Sequence, residues 1–125
     1  MKSYSLQINI KKMAGKTARN KGHNYERKIR REFIGMGFTD CNTSRFENLK
    51  LDAEKVDLCN TGFFNIQCKA VENGINYNKL LSEMPKGEKY NVVFHKKQRK
   101  EIAVLSKADF YELIEMLINA KIIKT

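Results

Sequence analysis

The residues Val56 to Ala70, VDLCNTGFFNIQCKA, restrict the fold most. Two short apolar runs flank Asn60-Thr61-Gly62, residue types that favour a tight turn. The pattern predicts strands over Lys55 to Cys59 and Phe63 to Val71, joined as a hairpin. Side chains alternate across a strand, so Phe64, Ile66 and Cys68 share one face while Asn65, Gln67 and Lys69 share the other. With Val56 and Leu58 facing the first set, Asp57 is left to face the second. A carboxylate, an amide and an amine are thereby expected on one side of the hairpin.

The flanking chain predicts helices on either side of these strands. Asn24 is the expected N-cap of a helix to about Met36, which Gly35 and Gly37 end. Tyr25, Ile29 and Phe33 fall at i, i+4 and i+8 and mark its buried face. Glu26 lies at the edge of that face. A carboxylate in a first helical turn is favoured by the helix dipole by roughly 0.3–1 kcal/mol. That explains an acid near the N-terminus, but not one that leans inward within a basic stretch.

Phe38 to Phe46 reads as extended chain and Glu47 to Lys55 as a charged loop. Tyr77, Leu80, Leu81 and Met84 keep helical spacing until Pro85. Tyr90 to His95 and Ile102 to Leu105 read as strands around a basic turn. Ser106, with Asp109 three residues on, opens a final helix whose apolar face is Phe110, Leu113, Ile114, Leu117 and Ile118. The order predicts an α/β fold, a mixed central sheet flanked by helices. Residues 1–22 read as a basic flexible arm and residues 23–125 as a single domain.

Charge narrows the partners. The 125 residues hold 24 Lys and Arg against 14 Asp and Glu, a net charge of +10. Such a surplus in a small protein points to a polyanion, and nucleic acid is the commonest. Lys11 to Arg31 carries nine of the basic residues and one acid, Glu26. A second cluster, Lys96, Lys97, Arg99 and Lys100, follows an apolar run. Either cluster alone is an ordinary solvated face; together with a separate acidic constellation they point to phosphate.

The 3 cysteines, Cys41, Cys59 and Cys68, have no CxxC spacing and the 2 histidines stand far apart, so neither a disulfide framework nor a zinc site is indicated. The opening MKSYSLQINIKK lacks the apolar core of a signal peptide, and no run approaches a membrane span. A reducing, cytoplasmic setting is expected.

The polar side of the hairpin fits metal-assisted phosphodiester hydrolysis. A hard cation such as Mg²⁺ takes oxygen ligands and keeps several waters, so one carboxylate with one or two neutral oxygens holds it. Asp57 would supply the anionic ligand, Gln67 an amide oxygen and the Cys68 carbonyl a further oxygen. Glu26 would bind directly or through water, and Lys69 would face the nucleophile. Each residue has an ordinary alternative: Lys69 as a solvated strand residue, Gln67 as a cross-strand hydrogen-bond partner, Asp57 as the start of a turn.

Glu26 on an early helix, Asp57 on a strand and Gln67-Cys68-Lys69 on the next strand form a series that resembles the PD-(D/E)XK nuclease superfamily. Within it the chain is similar to the archaeal-type Holliday junction resolvases and their phage relatives. The similarity runs from about Lys21 to Leu117, including KGHNYERKIRREF and NVVFHKKQRKEIAVLSKADFYEL. The family site is a Gly-x-x-x-Glu helix, a Ser, an Asp and a Glu-x-Lys. These are matched here by Gly22 with Glu26, Ser44, Asp57, and Gln67 with Lys69. Two positions depart from the family: Val56 stands in place of its proline and Gln67 in place of its acid. Gln67 keeps a ligating oxygen but loses a charge.

The resemblance implies a restriction-endonuclease-like core and an Mg²⁺-dependent endonuclease of DNA recombination and repair, with Mn²⁺ as a substitute. The implied substrate is a four-way junction, cut by a homodimer in paired symmetric nicks that leave 5′-phosphates. A bacterial, archaeal or phage-infected cell would be the setting. The last two strands and the final helix are candidates for the dimer contact. Lys16, Arg19, Lys21, Arg27, Arg30, Arg31, Arg45, Lys96, Lys97 and Arg99 are the expected phosphate contacts, which position DNA without reading sequence. The rivals are another endonuclease of the superfamily, acting in repair or restriction, a decayed junction-binding protein, and a small basic RNA-binding protein.

Overall fold

The structure is a computed structural model that describes residues 14–125. Its frame is a five-stranded sheet with strands in chain order: β1 (Asn42–Thr43), β2 (Leu58–Cys59), β3 (Phe64–Lys69), β4 (Tyr90–Lys97) and β5 (Lys100–Val104). The sheet is mixed because only β3 and β4 run parallel. Parallel neighbours need a crossover, and the segment between these two contains helix α4 (Tyr77–Glu83). Earlier in the chain lie α1 (Ala14–Gly35), α2 (Ser44–Glu47) and α3 (Leu49–Ala53); α5 (Lys107–Asn119) follows β5. The fold is α/β, a mixed sheet flanked by helices.

Alternation along the strands divides the core in two. On one side Tyr25, Ile29 and Phe33 of α1 pack with Leu58, Ile66, Cys68 and Val92. On the other, Val56, Met84 and Val93 pack with Leu51, Tyr77, Leu80 and Leu81. Val92 and Val93 are adjacent on β4 and so point to opposite faces. The i, i+4, i+8 face of α1 is buried as the spacing predicts.

The hairpin turn is tightly constrained. Asn60 and Gly62 both have positive φ (60° and 66°). A Cβ on Gly62 would lie 2.9 Å from the Phe38 ring. Thr61 is buried and its hydroxyl donates to the Phe64 carbonyl at 2.7 Å. All three cysteines are free and buried. Among the described residues no helix is long and apolar enough to cross a membrane.

Five local expectations are corrected. Helix α1 starts at Ala14, so Asn24 is interior and its side-chain oxygen accepts from Arg27 Nη1 at 2.8 Å instead of capping. Residues 14–22, read as part of a flexible arm, are therefore helical, while residues 1–13 lie outside the described residues. The extended segment after α1 shrinks to two strand residues, because Ser44 begins α2, and Asn48 N–H closes onto the Ser44 carbonyl at 2.8 Å. The charged loop contains α3, where Asn48 Oδ1 accepts from Leu51 N–H at 3.2 Å.

The fifth correction concerns Val56, which joins the Val93 side of the core and not the Leu58 side. Regular alternation starts only at Leu58. Before it, Lys55 has φ 67° and Val56 N–H is tied to the Leu51 carbonyl at 2.9 Å.

Candidate active site

The strand register sets Ser44, Asp57 and Gln67 in a row. Thr43 pairs with Leu58, and Leu58 with Ile66, so the neighbours of these residues lie side by side across three strands. Ser44 N–H donates to the Asp57 carbonyl at 2.8 Å, and Asp57 N–H donates to the Ile66 carbonyl at 2.7 Å. The Asp57 side chain is fixed as well, its Oδ2 accepting from Cys68 N–H at 2.7 Å.

The electrostatics of Asp57 are strained. Burial is the main cause that pushes its carboxyl up from 3.8 to about 7. The Cys68 N–H opposes the rise, Glu26 and Asp52 add to it, and the Lys69 ammonium lowers it. Glu26 and Lys69, from different elements, are thus both close enough to act on this carboxyl. Desolvation of an anion without a cation partner is the physical source of the shift.

Gln67 is only 3% exposed, and its Oε1 has no hydrogen-bond partner. A buried acceptor left unpaired costs about 1–3 kcal/mol. Its register partner Val93 offers only an apolar side chain. Ser44 Oγ and Arg45 Nη2 are also buried without partners. With Thr43 Oγ1 these atoms lie on or next to the row that holds Asp57, while a further unpartnered atom, the Tyr25 hydroxyl, lies on α1.

Glu26 leans inward. Its carboxylate meets Arg45 Nε at 3.2 Å, with side-chain exposures of 13% for Glu26 and 19% for Arg45. Arg45 also lies over the Phe46 ring at 4.4 Å. Expected from sequence to be a surface phosphate contact, Arg45 instead partly neutralises Glu26.

These donors fit a hard cation. An amide oxygen in want of a partner and a desolvated carboxylate suit Mg²⁺ chemistry, and the Cys68 carbonyl is the backbone oxygen expected from the sequence to join them. Glu26, already paired, would reach such an ion through water or by releasing Arg45. Among the described residues no three His, Cys, Asp or Glu side chains cluster as a metal-binding group. The set here would depend on an amide and a backbone oxygen.

Lys69 is half-buried at the end of β3 and lines a cleft of about 350 Å³ with Asn73, Asn76 and Lys79. Its register partner is His95. This histidine is 7% exposed, with Nδ1 2.7 Å from the Tyr77 hydroxyl and Nε2 2.7 Å from the Val71 carbonyl. Sequence reasoning missed His95 and Lys79. A single histidine in an apolar strand gives no local sign of its partners, and Lys79 lies in neither basic cluster.

The two basic clusters meet. Lys21 and Lys28 from α1 and Lys96 from β4 line one cleft of about 220 Å³. Arg19, Arg27 and Arg31 on α1, and Lys97 and Arg99 near the β4–β5 turn, are exposed. Lys21 pairs with Glu72 at 3.1 Å and Lys28 with Glu101 at 2.6 Å. Arg30 is half-buried, and its Nε donates to the Cys41 carbonyl at 3.1 Å. The side chain of Lys16 lies outside the described residues. Among the described residues Gly22 has no atom within 4 Å of where a Cβ would stand, so none of them demands a glycine there.

No protein-family model, no curated protein and no solved structure matches the chain.

Proposed function

We propose that this protein is a metal-dependent, structure-specific DNA endonuclease with a restriction-endonuclease-like core. Its proposed substrate is a four-way junction, cut by a homodimer through paired symmetric nicks that leave 5′-phosphates. The observation that carries this reading is the buried, unpartnered Gln67 oxygen on the strand that Asp57 bonds to, together with an Asp57 carboxyl that burial holds at about 7. Two oxygen donors in that condition gain from a cation.

Asp57 and Gln67 would hold Mg²⁺ with the Cys68 carbonyl. The ion, when bound, supplies charge stabilisation at the scissile phosphate. Lys69 orients the attacking water and stabilises the negative charge that develops. Ser44 Oγ, buried and without a partner, offers a hydroxyl to a phosphate oxygen. Arg45 holds Glu26 by an ion pair at 3.2 Å, from which its carboxylate would reach the ion through water. The clusters from α1 and the β4–β5 turn hold the arms of the DNA by their phosphates.

A second reading is favoured by a specific pair of features, the neutral Gln67 and the neutralised Glu26. With both in place the fold would bind junctions without cutting. The test is cleavage of an end-labelled four-way junction beside matched linear duplex, in Mg²⁺ and in Mn²⁺, by wild type and by Asp57→Asn. Paired nicks confined to the junction and lost in the variant are expected. Junction binding without cutting in either metal selects the second reading, and cutting of the linear duplex selects a different endonuclease.

A further inference from the structure

We propose that the cleft beside Lys69 holds the nucleotide adjoining the scissile phosphate, with Lys79 contacting that nucleotide's phosphate. The inference rests on the nuclease reading above and adds a binding site to it. The cleft is about 350 Å³, within the roughly 300–1,000 Å³ typical of small-ligand sites and large enough for one nucleotide. Lys69, at the end of β3, links it to the row of Ser44, Asp57 and Gln67. A strand of DNA leaving that row past Lys69 enters the cleft directly.

Charge within the cleft favours an anion. Lys69 and Lys79 line it with one carboxylate, Glu83. Glu83 lies one helical turn beyond Lys79, yet the two do not form an ion pair. Lys21, Lys28 and Arg45 are each held by an acid, whereas among the described residues Lys69 and Lys79 are not. Their ammonium groups remain free for phosphate.

The wall of the cleft is built in advance. A carbonyl only accepts, so His95 Nε2 donates to the Val71 oxygen, and in the neutral ring Nδ1 accepts from the Tyr77 hydroxyl. That clamp ties both ends of the loop between β3 and α4 to β4. Within the loop Gly74 takes φ 80°, a conformation that other residues rarely adopt. Asn76 Oδ1 accepts from Lys79 N–H at 3.1 Å and fixes the start of α4. A pre-ordered wall lowers the entropy cost of holding a flexible strand.

The test is binding of a fluorescein-labelled four-way junction in Ca²⁺, followed by anisotropy across a sodium chloride series. Wild type, Lys79→Ala, Lys79→Arg and the distant control Lys124→Ala are compared. Lys79→Ala should bind about 3- to 10-fold more weakly near 0.1 M salt, with the slope of log K against log salt reduced by roughly 0.7–0.9. Lys79→Arg should restore the slope. Single methylphosphonate linkages beside the cut then locate the contact, since one of them should weaken wild type and leave Lys79→Ala unaffected. If wild type binds and cuts the junction while Lys79→Ala matches Lys124→Ala, the cleft inference fails alone. If wild type binds no DNA, the nuclease reading fails and the cleft inference fails with it.

Discussion

The two ends of the sheet break opposite rules of packing. Around β1 to β3 the chain buries polar atoms without partners: Ser44 Oγ, Arg45 Nη2 and Gln67 Oε1. Around β5 and α5 it leaves Ile102, Phe110, Tyr111, Leu117 and Ile122 exposed, several of them on one helix, while Phe46, Leu49 and Phe63 are exposed at the first end as well. No residue of helix α5 is fully buried. An unpaired buried acceptor is relieved by an ion or a hydrogen-bond donor, an exposed apolar face by another apolar face. The first end is thus chemically suited to a metal and a phosphate, the second to another protein surface.

The largest effect is expected at Asp57, and it should have two signs. Asp57→Asn should reduce junction cleavage by at least about 10³-fold, the scale of losing a central electrostatic group. The same change should stabilise the apoprotein above neutral pH. Asp57 has its folded pKa raised, so its ionisation works against folding. Its contribution is therefore harmless below about pH 4 and becomes increasingly unfavourable as pH rises toward about 7. At about 1.4 kcal/mol per pH unit the total over this shift is on the order of 4 kcal/mol. Thermal melts in EDTA from pH 4 to 8 should show wild type losing stability relative to Asp57→Asn across that window. Parallel curves would mean that the Asp57 carboxylate is already solvated or paired.

The same contrast explains which parts were legible in the sequence. Tyr25, Ile29 and Phe33 repeat with the helical period, and their burial follows from spacing alone. The turn was legible because Asn60-Thr61-Gly62 are turn-forming residue types, and Asn60 and Gly62 do take positive φ. Residues 14–22 were not, since their polar and basic side chains carry no apolar period although they are helical. Helices of four and five residues such as α2 and α3 are too short to display one. Alternation predicted Asp57 and Gln67 on one side of the hairpin from Val56 and Leu58 facing together, whereas Val56 packs on the Val93 side, and it could not show the bond from Cys68 N–H or the missing partner of Gln67. Those depend on register with other strands. The inward lean of Glu26 was legible from its phase on α1, whereas its pairing with Arg45 bridges 19 residues of sequence.

The apolar end supplies the next largest effect. Phe110 is 50% exposed and Leu117 39% exposed, on one face of α5 seven residues apart, while Leu113, Ile114 and Ile118 are half-buried. If this face joins two copies, Leu117→Asp should raise the dimer dissociation constant about 10- to 100-fold, the usual range for an interface anchor. Sedimentation equilibrium measures that directly. In the junction assay, paired nicks should become single, unpaired nicks while the rate at each site changes little. A variant that sediments as wild type does would remove α5 from the dimer contact and weaken the contrast between the two ends.

The smallest effect, and the sharpest for the ionic end, is expected from Gln67→Glu. A second carboxylate raises the ligand charge, which should lower the Mg²⁺ concentration for half-maximal cleavage by about tenfold. Without metal the same carboxylate sits beside Asp57, so like-charge repulsion and burial should lower the melting temperature in EDTA at pH 8. Added Mg²⁺ should restore it by binding the folded state alone. The pairing of these responses matters more than either one. Loss of stability in EDTA without recovery in Mg²⁺ would mean that position 67 does not face a cation site, and that its unpaired oxygen needs a donor other than metal. Cleavage gained by Gln67→Glu from an inactive wild type would instead mean that the amide is what silenced the site.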